Sequence, residues 1–272
     1  MSAALATSPA HRGFTLTRVL RSEWTKLRTL RSTLWSLLAA VIAMAGLGSA
    51  VAAVQMSRWS HLEPQERLRF DAIDAGVGGF HLAQLAIGVL GVLVITGEYS
   101  TGMIRSSFMA VPHRLQVLCA KILVFAAVTF LLMLGATLLS FFAVQAIVAQ
   151  HHQQVTLGAP HALRAVVGTA LFLTVLGVLS VALGALVRST AGGIALFVGL
   201  LFVLPGVVAL LPSSIGDSIG PYMPINAGLT VATSTFDPGS HHLGTWTGFA
   251  VFCGYTVLAV AAAASLLVRR DA

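Results

Sequence analysis

Residues 165–187 read AVVGTALFLTVLGVLSVALGALV, a run of 23 residues without a charged side chain. A helix needs about 20 predominantly apolar residues to cross the roughly 30 Å hydrocarbon layer of a bilayer, so this run is long enough. It shows no strict alternation of apolar and polar residues, which favours a helix over a barrel strand. The stretch therefore predicts a membrane span.

Five further stretches of the chain meet the same criterion. The predicted spans cover residues 33–54, 80–97, 122–149, 165–187, 192–211 and 245–268. The second is the weakest, because it contains His81 and Gln84. The sequence thus predicts an all-α integral membrane protein with six transmembrane helices, which form one domain over residues 1–272.

The composition limits the class of protein. Of 272 residues, 57% are apolar and 9% are charged, whereas an average soluble domain has about 25% charged residues. This excludes an ordinary soluble enzyme. The formal net charge is +7, but little soluble surface remains to bind nucleic acid. The two cysteines lie far apart, and the histidines of the outer loops have no carboxylate spaced to complete a metal site.

The distribution of basic residues predicts the orientation, since Lys and Arg are retained on the cytoplasmic side. If the N-terminus is inside, the cytoplasmic segments hold Arg12, Arg18, Arg21, Lys26, Arg28, Arg31, Arg105, Arg114, Lys121, Arg188, Arg269 and Arg270. The other side then holds Arg58, Arg67, Arg69 and Arg164. We therefore expect both termini in the cytoplasm and a multi-pass membrane protein.

The segment before the first span, residues 14–31, has a helical apolar face. Its apolar positions are Leu16, Val19, Leu20, Trp24, Leu27, Leu30 and, just beyond, Leu34. Arginines 18, 21 and 28 fall on another face, so the segment resembles a helix that lies flat in the inner headgroup layer. The alternative is a basic flank that only sets the topology. Glu23 interrupts the apolar face, where it would need a cation such as Lys26 or Arg31, or a partner protein.

Residues 98–121 follow the second span and carry an unusual series of polar residues. Glu98 is followed by Gly102 and Arg105, and then by Pro112, Arg114 and Lys121. An acid at the end of a span, a glycine turn and a Pro-x-Arg break predict a structured cytoplasmic loop. A solvated basic connector fits the composition equally well.

In these segments the chain resembles the permease subunits of ABC-2-type transporters. The similar elements are RSEWTKLR at 21–28, GEYSTGMIR at 97–105, PHR at 112–114 with Lys121, and YMPINAG at 222–228. The order and spacing of these elements match over nearly the whole length, although His113 stands where the family often has arginine. The resemblance implies an N-terminal elbow helix over 14–31, six spans, and a cytoplasmic coupling helix within 98–121.

The resemblance also implies a function. The chain would be the permease subunit of an ATP-binding cassette exporter, driven by a soluble ATPase dimer and paired with a second permease chain, identical or homologous. ATP and Mg²⁺ would bind to the ATPase, and this chain would bind no cofactor. A phosphate-binding loop needs Gly before its Lys, whereas the only lysines, Lys26 and Lys121, follow Thr25 and Ala120.

The resemblance implies roles for particular residues. It assigns contact with the ATPase to Glu98, Gly102, Arg105, Pro112, Arg114 and Lys121, and the elbow to Glu23, Trp24, Lys26 and Arg28. Glu98 would lie at the hinge and tie the loop to Arg105 or to the cations of the elbow, since an acid at the membrane interface stays charged most readily beside a cation.

The external segment 205–244 is rich in Pro and Gly but apolar in its middle. Such a segment can enter the membrane partway as short helices, and the resemblance implies an outer gate there, with Pro221, Tyr222, Pro224 and Asn226. Candidates for a substrate path are His81, Gln84, Phe197 and Phe202, although the first two fit the outer headgroup level equally well. The apolar fifth span favours an amphipathic or hydrophobic cargo.

The sequence also bears on three other classes of protein. No Asp or Glu lies inside a predicted span, which argues against an intramembrane enzyme. An ATP-independent channel or secondary transporter would need a broken helix near mid-bilayer, and only Pro205 interrupts a span near its end. A non-transporting membrane anchor or sensor subunit of an ABC complex is the closest alternative, because it would share the coupling helix.

Overall fold

The computed structural model describes residues 16–103, 114–235 and 241–269. All regular structure in these ranges is helical, and six helices are long and apolar enough to cross a membrane. These spans, numbered 1 to 6, are Arg31–Ser57, Ala72–Ser100, Arg114–His151, Ala162–Val187, Thr190–Val208 and Thr245–Arg269. The predicted all-α fold with six spans is confirmed.

Spans 2 and 3 begin earlier than the sequence predicts. A short helix, Ala72–Val77, precedes Phe80–Ser100, and the Asp71 side chain caps it by accepting a hydrogen bond of 2.7 Å from the Ile73 amide. The helix of span 3 begins at Arg114, so residues 114–121 are its first two turns rather than part of a loop. Apolar side chains of these turns are buried, which explains why the helix extends beyond the apolar run.

Span 4 lies at the centre of the helical bundle and packs against spans 2, 3, 5 and 6. Phe172, Leu173 and Leu176 of this span are fully buried. Spans 2 and 4 approach closely at Gly91, where an added Cβ would lie 2.1 Å from the Ser180 hydroxyl oxygen. Small residues allow such close contact between membrane helices, and Ser180 packs here against Gly91 of span 2.

Spans 1 and 5 each contain a turn of π-helix, at Ala43–Leu47 and Gly199–Val203. The Ser140 hydroxyl lies 3.1 Å from the carbonyl oxygen of Met44 in the first of these turns. The sequence predicted continuous helices apart from Pro205, and it contains no signal for π turns, which are set by contacts with neighbouring helices. Both spans lie at the periphery of the bundle.

The segment after span 5 folds into short helices, as expected from its apolar middle. They are Ser213–Ile219, the 3₁₀ turn Gly220–Tyr222, and Pro224–Leu229. The last one packs against span 6, and a Cβ added to its Gly228 would come within 2.9 Å of Phe172 and Phe252. The depth of this segment in a membrane stays a prediction. Residues 236–240 lie outside the described part.

The N-terminal helix, Leu16–Thr29, falls within the predicted range 14–31. Its buried stripe consists of Val19, Glu23 and Leu27, one turn apart. Val19 packs against Val117 of span 3, while 48% of the surface of Trp24 is exposed. The helix is therefore held against the bundle by the stripe that contains Glu23.

Candidate functional site

Four charged side chains form a closed ring where the N-terminal helix meets spans 2 and 3. The Lys121 Nζ lies 2.6 Å from Glu23 Oε2 and 2.7 Å from Glu98 Oε1. The Lys26 Nζ lies 2.6 Å from Glu23 Oε1 and 2.9 Å from the same Glu98 oxygen. Each ammonium group thus bridges both carboxylates. We call these four residues the inner charge ring.

Three helices supply the ring. Glu23 and Lys26 are three residues apart on the N-terminal helix, a spacing that places them on neighbouring parts of one face. Glu98 lies in the last turn of span 2, and Lys121 lies in the second turn of span 3. The predicted contact between Glu23 and Lys26 is present, and Glu98 contacts a cation of the N-terminal helix.

Burial makes this ring energetically important. The side chains of Lys121, Glu23 and Glu98 are 3%, 4% and 8% exposed, and the two positive charges formally balance the two negative charges. Burial alone acts to lower the pKa of Lys26. The hydrogen bond from Lys26 to Glu23 and the negative charges of Glu98 and Glu23 outweigh this effect, so the pKa is raised above its ordinary value. The ring therefore favours the charged form of the Lys26 amine.

The second carboxylate oxygen of Glu98 has no such partner. Although it is buried, Oε2 accepts no hydrogen bond from the residues that the structure describes. The ring borders a cavity of about 340 Å³, whose other walls come from Leu90, Val94 and the start of span 1. Only one of the two Glu98 oxygens is therefore needed to fasten the helices together.

The sequence contains two lysines and 14 arginines, and both lysines belong to the ring. An ammonium group is a compact charge with three donors that can point in different directions, whereas a guanidinium group is planar and larger. Lysine is scarce in this chain, but the sequence prediction did not link the two lysines to each other. That scarcity was the signal that would have linked Lys26 to Lys121.

A second contact joins the ends of spans 2, 4 and 5 at the same end of the bundle as the inner charge ring. The Arg188 guanidinium lies over the ring of Tyr99, 5.3 Å from its centroid. The Thr190 hydroxyl donates a hydrogen bond of 2.9 Å to Thr96. Neither Tyr99 nor Arg188 was singled out as a site residue from the sequence, and nothing in their local pattern links them.

The other described residues that were predicted for contact with the ATPase or for the elbow lie outside the ring. Gly102 ends span 2 with φ +71°, a left-handed conformation that glycine adopts at no steric cost. The Arg114 guanidinium donates to the Leu267 carbonyl of span 6 at 3.4 Å. Trp24 and Arg28 are exposed on the N-terminal helix. Arg105, Pro112 and His113 lie outside the described residues.

The predicted gate residues lie together at the opposite end of the bundle. Asn226 donates a hydrogen bond of 2.8 Å to the Gly220 carbonyl, and the Tyr255 hydroxyl of span 6 donates to the Tyr222 carbonyl at 3.0 Å. A cavity of about 750 Å³ between this segment and the end of span 5 is lined by Pro221 and Asn226, among others. Pro224 is buried beneath it.

The predicted path residues do not share one surface. His81 is exposed and stacks on Phe80 with a centroid distance of 4.0 Å. Gln84 is buried one turn further along span 2. Phe197 is fully buried against Gly88, and Phe202 packs against Phe197 at 6.2 Å. A path along Phe197 would therefore require spans 2 and 5 to separate.

A polar cluster that sequence reasoning missed joins the ends of spans 2, 4 and 6 on this side. Arg164 donates to the Thr245 hydroxyl at 2.6 Å and to the Ser234 carbonyl at 3.1 Å. The Ser234 hydroxyl donates to Asp71 at 2.6 Å, and its amide donates to Asp74 at 2.9 Å. Asp71 caps the short helix Ala72–Val77 and Asp74 lies within it, and neither acid was predicted to be a site residue.

Comparison with known proteins places the chain in a family. A family described as ABC-2 family transporter protein matches residues 19–211, which include most of the N-terminal helix, the inner charge ring and spans 1 to 5. The comparison with curated proteins returned no match. Because the family match covers well over half of the chain, and because the six apolar helices fit a membrane transport component, the protein belongs to the ABC-2 transporter family as a multi-pass membrane permease.

Proposed function

We propose that this chain is the transmembrane subunit of an ATP-binding cassette exporter in a bacterial plasma membrane, driven by ATP hydrolysis in a separate soluble ATPase dimer. The supporting observation is the inner charge ring. It joins the N-terminal helix to the end of span 2 and to the start of span 3. These two span ends flank the segment that connects Met103 to Arg114. A force applied to that segment would reach three helices together.

The proposal places the inner charge ring on the cytoplasmic side, with both termini. Its support is the excess of Lys and Arg in the segments that would then be cytoplasmic. In this orientation the N-terminal helix acts as an elbow in the inner headgroup layer, and residues within 98–121 contact the ATPase. The ring converts closure of the ATPase into a rigid-body movement of spans 2 and 3, a common form of conformational switching.

The proposed cargo is an amphipathic or hydrophobic molecule. Support comes from the outer cavity, whose lining combines apolar residues such as Val208 and Leu229 with polar ones such as Asn226 and Asp217. A second permease chain, identical or homologous, completes the path. Large apolar side chains are exposed on span 5, among them Leu196, Val203 and Val207, and they are available to contact it or the surrounding lipid.

The test begins with purification of the tagged chain from its native membrane in mild detergent. We expect an ABC ATPase to copurify, and the reconstituted complex to show ATPase activity that amphipathic compounds stimulate. In inside-out vesicles, ATP should drive accumulation of a fluorescent amphipathic substrate. Stimulated ATPase activity without accumulation would support the non-transporting anchor or sensor instead, while transport by the chain alone without nucleotide would contradict the proposal.

A Glu98→Gln variant tests the coupling role within this assay. It should lower substrate-stimulated ATPase activity while the complex still assembles, because the neutral amide holds Lys26 and Lys121 less strongly. Glu66→Gln is the matched control, since Glu66 lies on the short external helix Pro64–Arg69. Equal activity of both variants would exclude the coupling role of Glu98.

A further inference from the structure

An apolar groove runs along the outside of the bundle between the N-terminal helix and span 3. Its volume is about 770 Å³. The N-terminal helix contributes Thr17, Leu20, Arg21 and Trp24, and span 3 contributes Leu123, Val124, Ala127, Val128, Leu131 and Leu132. Arg21 is the single charged residue among these lining residues.

The groove follows one face of span 3 over the depth of one membrane leaflet. From Leu123 to Leu132 the helix rises about 14 Å at 1.5 Å per residue, and half of the hydrocarbon layer is about 15 Å. The groove is open to the side, with Leu123 and Leu131 57% and 68% exposed. An extended acyl chain of one leaflet fits this length and this lining.

Arg21 gives the mouth of the groove a positive charge. Its side chain is exposed, and no acidic side chain among the described residues pairs with it. Arg28 lies two turns further along nearly the same face, whereas Arg18 is displaced by about 60° around the helix. The phosphate of a phospholipid at Arg21 would accept hydrogen bonds from two guanidinium N–H donors in a fixed geometry. The acyl chain of that lipid would lie along the groove beside Trp24.

We infer that this groove is a binding site for an anionic phospholipid of the inner leaflet, with the phosphate at Arg21 and one acyl chain between Trp24 and Leu131. The inference rests on the cytoplasmic placement of the N-terminal helix under the proposed function. A bound lipid extends the apolar contact between the N-terminal helix and span 3, and thereby helps to hold the inner charge ring together.

The test measures lipid binding to the purified chain, independently of transport. Delipidated protein in detergent is incubated with phosphatidylglycerol or phosphatidylcholine, and bound lipid per chain is measured by native mass spectrometry. The wild type should prefer phosphatidylglycerol. Arg21→Gln should reduce that preference about fivefold, which is the contribution of one cation to binding at an anionic surface. Arg21→Lys and the control Arg18→Gln should keep the preference.

A second pair of variants tests the groove itself. Ala127→Phe should fill the groove and reduce binding of both lipids, while Leu139→Phe, at an exposed position of span 3 outside the groove, should not. An equal loss of the preference for phosphatidylglycerol in Arg21→Gln and Arg18→Gln would overturn the inference. So would unchanged lipid binding by Ala127→Phe together with loss of a dimer, which would assign the groove to a second copy of the chain. Copurification of the ATPase is scored separately, so failure of the lipid site can be distinguished from failure of the proposed function.

Discussion

The Nζ of Lys121 lies 2.6 Å from the Glu23 carboxylate, although the two residues are 98 positions apart and both side chains are at least 96% buried. Glu23 lies on a helix that precedes the first span, and Lys121 lies on the third. The contact therefore fixes the N-terminal helix to the bundle by charge as well as by packing. Its isolation from water determines what substitutions in the ring should do.

Lys121→Met should destabilise the protein strongly, by about 3–5 kcal/mol, because it leaves two carboxylates buried with one cation. Adding Glu98→Gln to this variant should recover part of the lost stability, since it removes the excess negative charge. The measurement is unfolding in detergent for the two single variants and the double variant. If the effects of the two substitutions on the free energy of unfolding simply add, Lys121 and Glu98 do not act as a unit.

Lys121→Arg should also be destabilising, although it keeps the charge. The guanidinium is longer and planar, and the buried site offers carboxylates on two sides at ammonium distances. Arg28→Lys, at an exposed position of the N-terminal helix, is the matched control and should leave stability within about 0.5 kcal/mol of the wild type. A similar melting temperature for Lys121→Arg and wild type would show that the ring does not select an ammonium group.

The Lys26 amine should react slowly with amine-directed reagents at pH 8.5. Its raised pKa keeps it protonated, and the carboxylates cover it. Glu98→Gln should speed its modification, because a lost negative charge lowers the pKa of the amine. An Arg28→Lys protein supplies an exposed lysine as an internal standard, and peptide mapping separates the sites. Equal rates at positions 26 and 28 would contradict the shielding.

The raised pKa of Lys26 also predicts how the stability of the protein depends on pH. Because the pKa of Lys26 is raised in the folded protein above its ordinary value of 10.5, its contribution is fully present below pH 10.5 and is lost as pH rises through the folded pKa. Between pH 7 and 9, therefore, Lys26→Met should show a constant loss of stability relative to wild type. A loss that disappears within that range would assign the titration to another group.

The six spans could be predicted from the sequence because hydrophobic length is a local property, and so could the contact of Glu23 with Lys26. The ring as a whole could not, because Glu98 and Lys121 are brought to the N-terminal helix by packing between spans. The outer cluster was missed for the same reason. Ser234 lies 160 and 163 positions from Asp74 and Asp71, and acidic residues next to a span give no sign of so distant a partner.

Arg164→Gln should loosen this outer cluster and lower stability by a few kcal/mol. The arginine holds the Thr245 hydroxyl and the carbonyls of Thr233 and Ser234, and hydrogen bonds to a charged group contribute about 1.5–3 kcal/mol each. Arg58→Gln, at an exposed position after span 1, is the control. Equal melting temperatures for the two variants would show that the cluster does not join the spans.

Tyr255→Phe should change transport more than stability. The variant loses one exposed hydrogen bond, from the Tyr255 hydroxyl to the Tyr222 carbonyl, which contributes about 1 kcal/mol. That bond holds the proposed gate to span 6, so its loss should alter the rate of substrate release in the vesicle assay while the melting temperature changes little. Tyr222→Phe is the matched control, because only the backbone of Tyr222 takes part in that bond. If both variants transport at the wild-type rate, the turn at Gly220–Tyr222 does not move as a gate during export.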